Sequence, residues 1–204
     1  MNSQGQRIAA VLLAAGNASR FGAAKQTLAI EGIPMVRRAA MTALHAGLSP
    51  VVVVIGAYAD AVRPCLAGLP VQVVENPDWT TGMGGSLGLG VRTAVAREAA
   101  PDALVVLLAD QPGIRAAHLK GMIEAHATAP GHIHAAQFNG HLGPPCLFPR
   151  DYFEELASLQ GQKGAQRLIE RYFDCVDVHD LPAAAFDIDT PGDHAVWLAH
   201  QGID

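Results

Sequence analysis

Charge is scarce in this chain, and so are aromatic rings and cysteines. Of 204 residues, 16% are charged and 5% aromatic, and there are three cysteines. Fourteen Lys and Arg stand against 19 Asp and Glu, a net charge of −5. No basic block occurs, so the electrostatic footprint of a nucleic-acid-binding protein is missing and no nucleic-acid partner is expected. Cys65, Cys146 and Cys175 are odd in number, and none forms a C-x-x-C pair. That argues against a disulfide framework or a zinc ribbon and favours a reducing, cytoplasmic location. The cysteines read as small core residues.

Hydrophobic residues make up 50% of the chain, too many for intrinsic disorder. Two apolar stretches still fail as membrane or export signals. Residues 8–15 are apolar, but a polar, glycine-containing loop follows at 16–25, so they read as an internal strand. Residues 39–59 carry one charge-free apolar run interrupted by His45, Gly47, Ser49 and Pro50, which is the punctuation of a helix end, a turn and a strand. No membrane partner is expected.

What remains is an alternation of short β-rich runs and longer helical segments. Strands are predicted at 7–13, 50–55, 71–75 and 103–109, and helices at 34–46, 59–67, 85–98 and 116–127. Near-continuous apolar runs suit strands buried on both faces. The order predicts an α/β fold, a Rossmann-like and mostly parallel sheet flanked by helices, in a single domain over 1–204 with 1–6 frayed. Further strands are expected at 132–138, antiparallel or at an edge, at 144–148 and at 174–179. A short segment at 186–189 and helices at 150–158, 163–173 and 191–200 complete the reading.

Open parallel sheets bind ligands at the carboxyl ends of their strands. Three polar motifs are placed there. The first is the loop Leu13-Ala14-Ala15-Gly16-Asn17-Ala18-Ser19-Arg20-Phe21-Gly22-Ala23-Ala24-Lys25. Its small residues let backbone N–H groups approach an anion, and Arg20 and Lys25 supply cations, which together make a triphosphate cradle. It is not a Walker A loop, and an ordinary flexible loop with two solvated cations is an even alternative. The second is Asp110-Gln111-Pro112, whose carboxylate is placed to hold Mg²⁺, although helix capping is the commoner fate of such a residue. The third is Asp187-Ile188-Asp189-Thr190-Pro191, in which either aspartate can supply a second metal ligand while Thr190 and Pro191 also read as a helix start.

A glycine-dense segment, Trp79 to Leu87, enters a helix near Ser86 and either encloses a base or ribose or is a plain helix entry. It contains G-x-S-x-G at 84–88, but polar residues 76–83 separate Ser86 from the preceding strand, which is wrong for a hydrolase nucleophile elbow. His132, His134 and His141 lack a completing carboxylate or cysteine at ligand spacing and read as surface or strand-edge residues.

The run LAAGNASRFGAAKQ resembles the signature of the molybdenum cofactor nucleotidyltransferases, the MobA-like NTP transferases, and is closest to the cytidylyltransferase branch. The resemblance continues through Trp79, Gly82, Met83, Ser86, Leu87 and Asp110-Gln111-Pro112. It goes on through Gly143 to Phe148, Arg150, Asp187 to Pro191 and Asp193, so it spans nearly the whole chain. It implies Mg²⁺-dependent transfer of CMP from CTP, or GMP from GTP, to a phosphate-bearing molybdopterin-type acceptor, with a molybdoenzyme as a possible partner. Lys25, Arg20 and Asp110 would be catalytic. Leu13, Ala14, Ala15, Gly16, Arg20, Lys25, Gly82, Ser86 and Asp110 would bind nucleotide. Asp110 and Asp189 would hold the metal, with Asp189 preferred over Asp187. One segment departs from the pattern: Gln162 stands where relatives carry Asp, and Gln166 where they carry Arg. That departure motivates the alternative of a nucleotide-binding, chaperone-like protein without turnover.

Overall fold

The computed structural model describes residues 5–17, 21–96 and 99–201, apart from the side chains of 198, 200 and 201. Residues 1–4 of the expected frayed end, Arg20, and 97–98 of the expected third helix lie outside the described residues.

The chain opens with β1 (Ile8–Ala14) and a 3-10 turn at Lys25–Thr27. A small hairpin of β2 (Ala29–Ile30) and β3 (Ile33–Pro34) leads into α1 (Met35–His45). Then come β4 (Val51–Ile55), α2 (Ala59–Val62), β5 (Gln72–Glu75), α3 (Met83–Val95), β6 (Ala103–Leu108) and α4 (Ala116–Thr128). The later part adds β7 (Ile133–Phe138), β8 (His141–Pro149), α5 (Phe153–Ala157), α6 (Gln166–Arg171), β9 (Val176–Asp180) and α7 (Pro191–Gln201). Among the described residues the main sheet has seven strands in the order β5-β4-β1-β6-β8-β7-β9.

The expected mostly parallel sheet is present. β1 is parallel to β4 and β6, β4 to β5, and β7 to β9. The antiparallel strand is β8, which pairs antiparallel with both β6 and β7. The expectation had placed that orientation at 132–138, or had put that strand at an edge. In fact β7 is interior and β9 forms the edge. The strand expected at 144–148 runs over His141–Pro149; Pro144 and Pro145 sit where the β7–β8 register shifts, so their missing N–H groups interrupt no ladder.

Both faces of the sheet are buried, as the apolar runs require. Ile8, Ala10, Leu12 and Ala14 join one core with α1 and α4, while Ala9, Val11 and Leu13 join another with α3, α5 and α6. Alternation along β1 thus feeds two layers at once. α3 lies very close to the sheet, because a Cβ on Gly90 would stand 2.4 Å from Val11 Cγ1. A third, small core joins Ile30, Met35 and Ile188, with Phe21, Leu28, Phe186 and Trp197 packed against it. It fastens α7 to the β2–β3 hairpin.

Three further expectations need correction. The first helix was read from residue 34, but residues 29–34 form the hairpin, turned at Glu31 and Gly32, both with positive φ. The helix read over 59–67 ends early, passing into a 3-10 turn at Arg63–Leu66 that contains Pro64. Cys146 is buried in the core, but Cys65 is half-buried and Cys175 is exposed. Among the described residues no helix is long and apolar enough to cross a membrane. Residues 39–59 form the end of α1, the turn at Gly47 and β4.

Candidate nucleotide-binding site

The carboxyl ends of β1 and β6, with residues from the segment 79–86 that follows β5, line an open cavity of about 480 Å³. That volume suits a small-molecule site. Among the described residues that line it, Lys25 is the one cation, and Asp110 and Asp189 are the two anions.

Lys25 is placed by the 3-10 turn that follows the first loop. Its residue is 8% exposed, which is unusual for lysine without a partner. It has two partners. Lys25 Nζ donates to Asp110 Oδ2 at 2.7 Å and to Asp189 Oδ1 at 2.6 Å. Burial alone would depress the lysine's pKa, but the two carboxylates more than offset it and hold it above the ordinary value. The ammonium is therefore charged at neutral pH.

Asp110 stands two residues past the end of β6 and caps no helix, so the commoner fate expected for it is not the one adopted. Its backbone carbonyl accepts the Ile188 N–H at 3.0 Å. The Gln111 side-chain amide donates to Ala184 O at 3.1 Å, and a Cβ on Gly113 would stand 2.4 Å from Ala183 O. These contacts stitch the 110–114 loop to the 183–189 segment and bring both carboxylates to one ammonium. Asp189 meets Lys25; Asp187 does not line the cavity. Desolvation, followed by repulsion from the Asp110 carboxylate, pushes the Asp187 pKa up to about 6. The capping role read at Thr190–Pro191 is also real: Asp193 Oδ2 accepts the Asp189 and Thr190 N–H groups at 3.0 and 2.7 Å.

Leu13, Ala14, Ala15 and Gly16 line the cavity as expected. A Cβ on Gly16 would meet nothing within 4 Å, so this glycine keeps space open where a ligand can reach the backbone. Arg20, the other cation expected in this loop, lies outside the described residues. Gln26 was not among the expected site residues, although it stood in the motif. It is buried, and its amide donates to Gly16 O at 2.7 Å, holding the loop against the turn.

The opposite wall comes from the start of α3. Gly82 has φ 117°, and a Cβ there would stand 2.4 Å from Gly161 O. Gly84 N–H donates to that same carbonyl at 2.8 Å. The glycines read as a possible base enclosure thus serve first to interlock α3 with the 160–162 loop, which brings Gln162 to the cavity. Ser86 is buried, and its Oγ accepts the Asn76 side-chain amide at 2.9 Å. Its recorded partner is an amide and not a histidine, which leaves the hydrolase reading without a base. Asn76, which the sequence reading did not single out, braces this wall; its Oδ1 also accepts Asp78 N–H at 3.1 Å.

Among the described residues no three His, Cys, Asp or Glu side chains are grouped to hold a metal. His132 and His141 are exposed, as expected of surface or strand-edge residues, but His134 is not. His134 is fully buried, and its Nδ1 lies 3.1 Å from His179 Nε2.

Residues 10–176 match the MobA-like NTP transferase domain. The chain belongs to the MobA-like NTP transferase family. As a MobA-like protein it is a nucleotidyltransferase, and the cavity lies at the carboxyl ends of the strands, the usual ligand edge of open α/β sheets. It is 35% identical over 141 residues to nicotine blue oxidoreductase of Paenarthrobacter nicotinovorans, covering 69% of this chain and 66% of the relative, just under two thirds of its length. It is 33% identical over 170 residues to the purine catabolism protein PucB of Bacillus subtilis, covering 78% of this chain and 79% of that one. The crystal structure of Rv0371c from Mycobacterium tuberculosis superposes with a TM-score of 0.79 at 28% identity, covering 95% and 98% of the two chains. A manganese complex of Rv0371c superposes with a TM-score of 0.77 at 27% identity, with the same coverage. The MobA-like match ends at residue 176, so Asp189 lies beyond it.

Proposed function

We propose that this cavity binds CTP with Mg²⁺ and transfers CMP to a phosphate-bearing, molybdopterin-type acceptor, releasing pyrophosphate. The observation that carries this reading is the convergence of Asp110 and Asp189 on one cationic point beside the glycine loop. Mg²⁺ suits these residues. Asp110 Oδ1 is buried with no hydrogen-bond partner, an acceptor available to a cation, and two carboxylates with phosphate oxygens and water form an ordinary Mg²⁺ ligand set. The manganese complex of Rv0371c supports a divalent ion in this fold.

In the transfer, an acceptor phosphate oxygen forms a bond to the α-phosphorus as the bond to the pyrophosphate oxygen breaks. Both reactants are anions, so neutralisation and alignment matter more than a strong base. Bound Mg²⁺ supplies charge neutralisation and alignment of the phosphates. Lys25 adds a positive charge beside them. The Gly16 backbone gives the chain of phosphates close approach, and Gln26 holds that loop in place. Gln162 presents a neutral amide to the acceptor side.

The test is pyrophosphate release with each of the four NTPs, with and without molybdopterin. Release with CTP that requires molybdopterin supports the reading. Nucleotide binding without release under every condition would favour the alternative without turnover, which the neutral Gln162 and Gln166 motivate.

Three expected outcomes follow from the placement of individual residues. Lys25→Ala should lower kcat/KM for the nucleotide well below that of Arg7→Ala. Arg7 sits at the opposite end of β1, where its guanidinium donates to Ala99 O at 2.7 Å. Equal values would place the cradle elsewhere. Asp189→Ala should be more damaging than Asp187→Ala, because Asp189 touches Lys25; the same kinetic measurement would show equal, mild effects if 187–190 only starts a helix. Ala15→Gly should narrow a preference for CTP over GTP. Ala15 lines the cavity at 6% exposure, and one methyl is worth roughly 10–200-fold in discrimination. Titrating both nucleotides against both proteins measures the ratio, and an unchanged ratio would remove Ala15 from base selection.

A further inference from the structure

We propose that Lys25 is the resident counter-ion of the Asp110–Asp189 pair, and that a divalent cation gains this pair only when polyphosphate draws the ammonium away. The inference rests on the metal-dependent reading above and adds an order to it: polyphosphate enables metal binding, and metal alone binds poorly.

The argument begins with occupancy of oxygens. Asp110 Oδ2 and Asp189 Oδ1, the two oxygens that converge, both already accept from the one Nζ, at 2.7 and 2.6 Å. A metal ion bridging the same oxygens would stand where the ammonium stands. Mg²⁺ requires oxygen ligands at about 2.0–2.1 Å in octahedral array, so the two cations cannot share these positions. Charge gives the same answer. Two carboxylates and one ammonium sum to −1, and adding a divalent ion with the ammonium still in place would set like charges side by side. The Lys25 side chain is 10% exposed and that of Asp110 is 23% exposed, so water screens the repulsion weakly there, and more strongly at Asp189, which is 46% exposed. Removing an ammonium from two carboxylates without a new partner is costly. A triphosphate offers that partner, since phosphate oxygens accept from lysine, and the flexible four-carbon stem of lysine can follow them. Asp110 Oδ1 is buried and without a hydrogen-bond partner, so a metal can meet it while Lys25 stays. A single carboxylate oxygen is a poor site alone.

The experiment is Mn²⁺ binding by the full chain, read from the electron paramagnetic resonance signal of free Mn²⁺. Wild type, Lys25→Met and the double variant Lys25→Met/Asp110→Asn are titrated without nucleotide and with inorganic triphosphate. Without triphosphate, Lys25→Met should bind Mn²⁺ more tightly than wild type by about tenfold or more, because the competing charge is gone. The double variant should lose that gain. Triphosphate should tighten Mn²⁺ binding to wild type by a larger factor than to Lys25→Met, after allowance for Mn²⁺ held by triphosphate in solution. Thermal melting gives a second readout that also reports folding: Mn²⁺ alone should raise the Tm of Lys25→Met more than that of wild type. Equal Mn²⁺ affinity in wild type and Lys25→Met, or a gain that survives loss of Asp110, would overturn the inference. The two readings fail separately. Normal pyrophosphate release with equal Mn²⁺ affinities would sink the exchange and leave the transferase reading standing. A Lys25-dependent, Asp110-dependent gain in a protein that releases no pyrophosphate would do the reverse.

Discussion

Asp110→Ala should abolish nucleotidyl transfer, lowering the rate on the order of 10³-fold or more, while the protein still folds. Asp110 stands past the last residue of β6, and its carboxylate meets Lys25 and the cavity, not the core. Its backbone carbonyl, which accepts from Ile188, is retained in the variant, so the stitch between the two loops survives. What is lost is one of two carboxylates on which the proposed metal depends, together with one partner of a buried ammonium. The check is steady-state pyrophosphate release at saturating Mg²⁺, alongside circular dichroism to show a native fold. Near-normal activity would remove Asp110 from the machinery.

The second large effect concerns stability and lies far from the cavity. His134 on β7 is fully buried, and burial, then the neighbouring His179, pushes its pKa down to about 4. Around it stand His126 from α4, with ring centroids 5.6 Å apart, and His179 and Asp177 from β9. His132, on the same side, pairs with Asp177 at 3.0 Å. An unfolded histidine titrates near 6.5, so below that pH the unfolded chain takes up a proton that folded His134 refuses. Stability should therefore fall as pH drops from about 6.5 to about 4, by about 3 kcal/mol from this residue, and level off below. Burial also lowers the pKa of His126 and His179, which adds in the same direction. Asp177, lowered chiefly by its hydrogen bond with His132, acts in the same sense, but only as pH falls below the ordinary carboxylate range. Urea unfolding midpoints across this window measure the slope. His134→Gln should remove more than half of it; an unchanged slope would assign the acid sensitivity elsewhere.

The strands most visible in the sequence were those with the simplest physics. Val51–Ile55 and Ala103–Leu108 are unbroken apolar runs because helices cover both faces of the sheet. The β2–β3 hairpin was missed because two residues per strand carry no periodicity, and its turn uses Glu31-Gly32 where Asn-Gly would have been the familiar signal. The direction of β8 was invisible because strand orientation is a property of pairing, not of composition. At the site, Lys25, Asp110 and Asp189 were legible from motif and position after strands. Their mutual contact was not, since no local pattern announces a pair 164 residues apart. Asn76 and Gln26 were passed over for a related reason. Each acts by holding a neighbour, Ser86 or Gly16, and a bracing role has no motif of its own. His134 misled because polar residues are read toward solvent, whereas this one is roofed by α4 and flanked by β9.

The members of the ion triad are also joined at different times in biosynthesis. Lys25 is made early, Asp110 comes 85 residues later, and Asp189 comes 164 residues later. At translation speeds of about 5–20 residues per second, roughly ten to thirty seconds separate the first member from the last. The last strand of the main sheet, β9 at Val176–Asp180, precedes Asp189 in the chain by nine residues. The ribosome shields the most recently joined residues, so β9 is free to pair only after Asp189 has been added. Lys25 therefore gains its second carboxylate by folding across 164 positions, not by the order of synthesis.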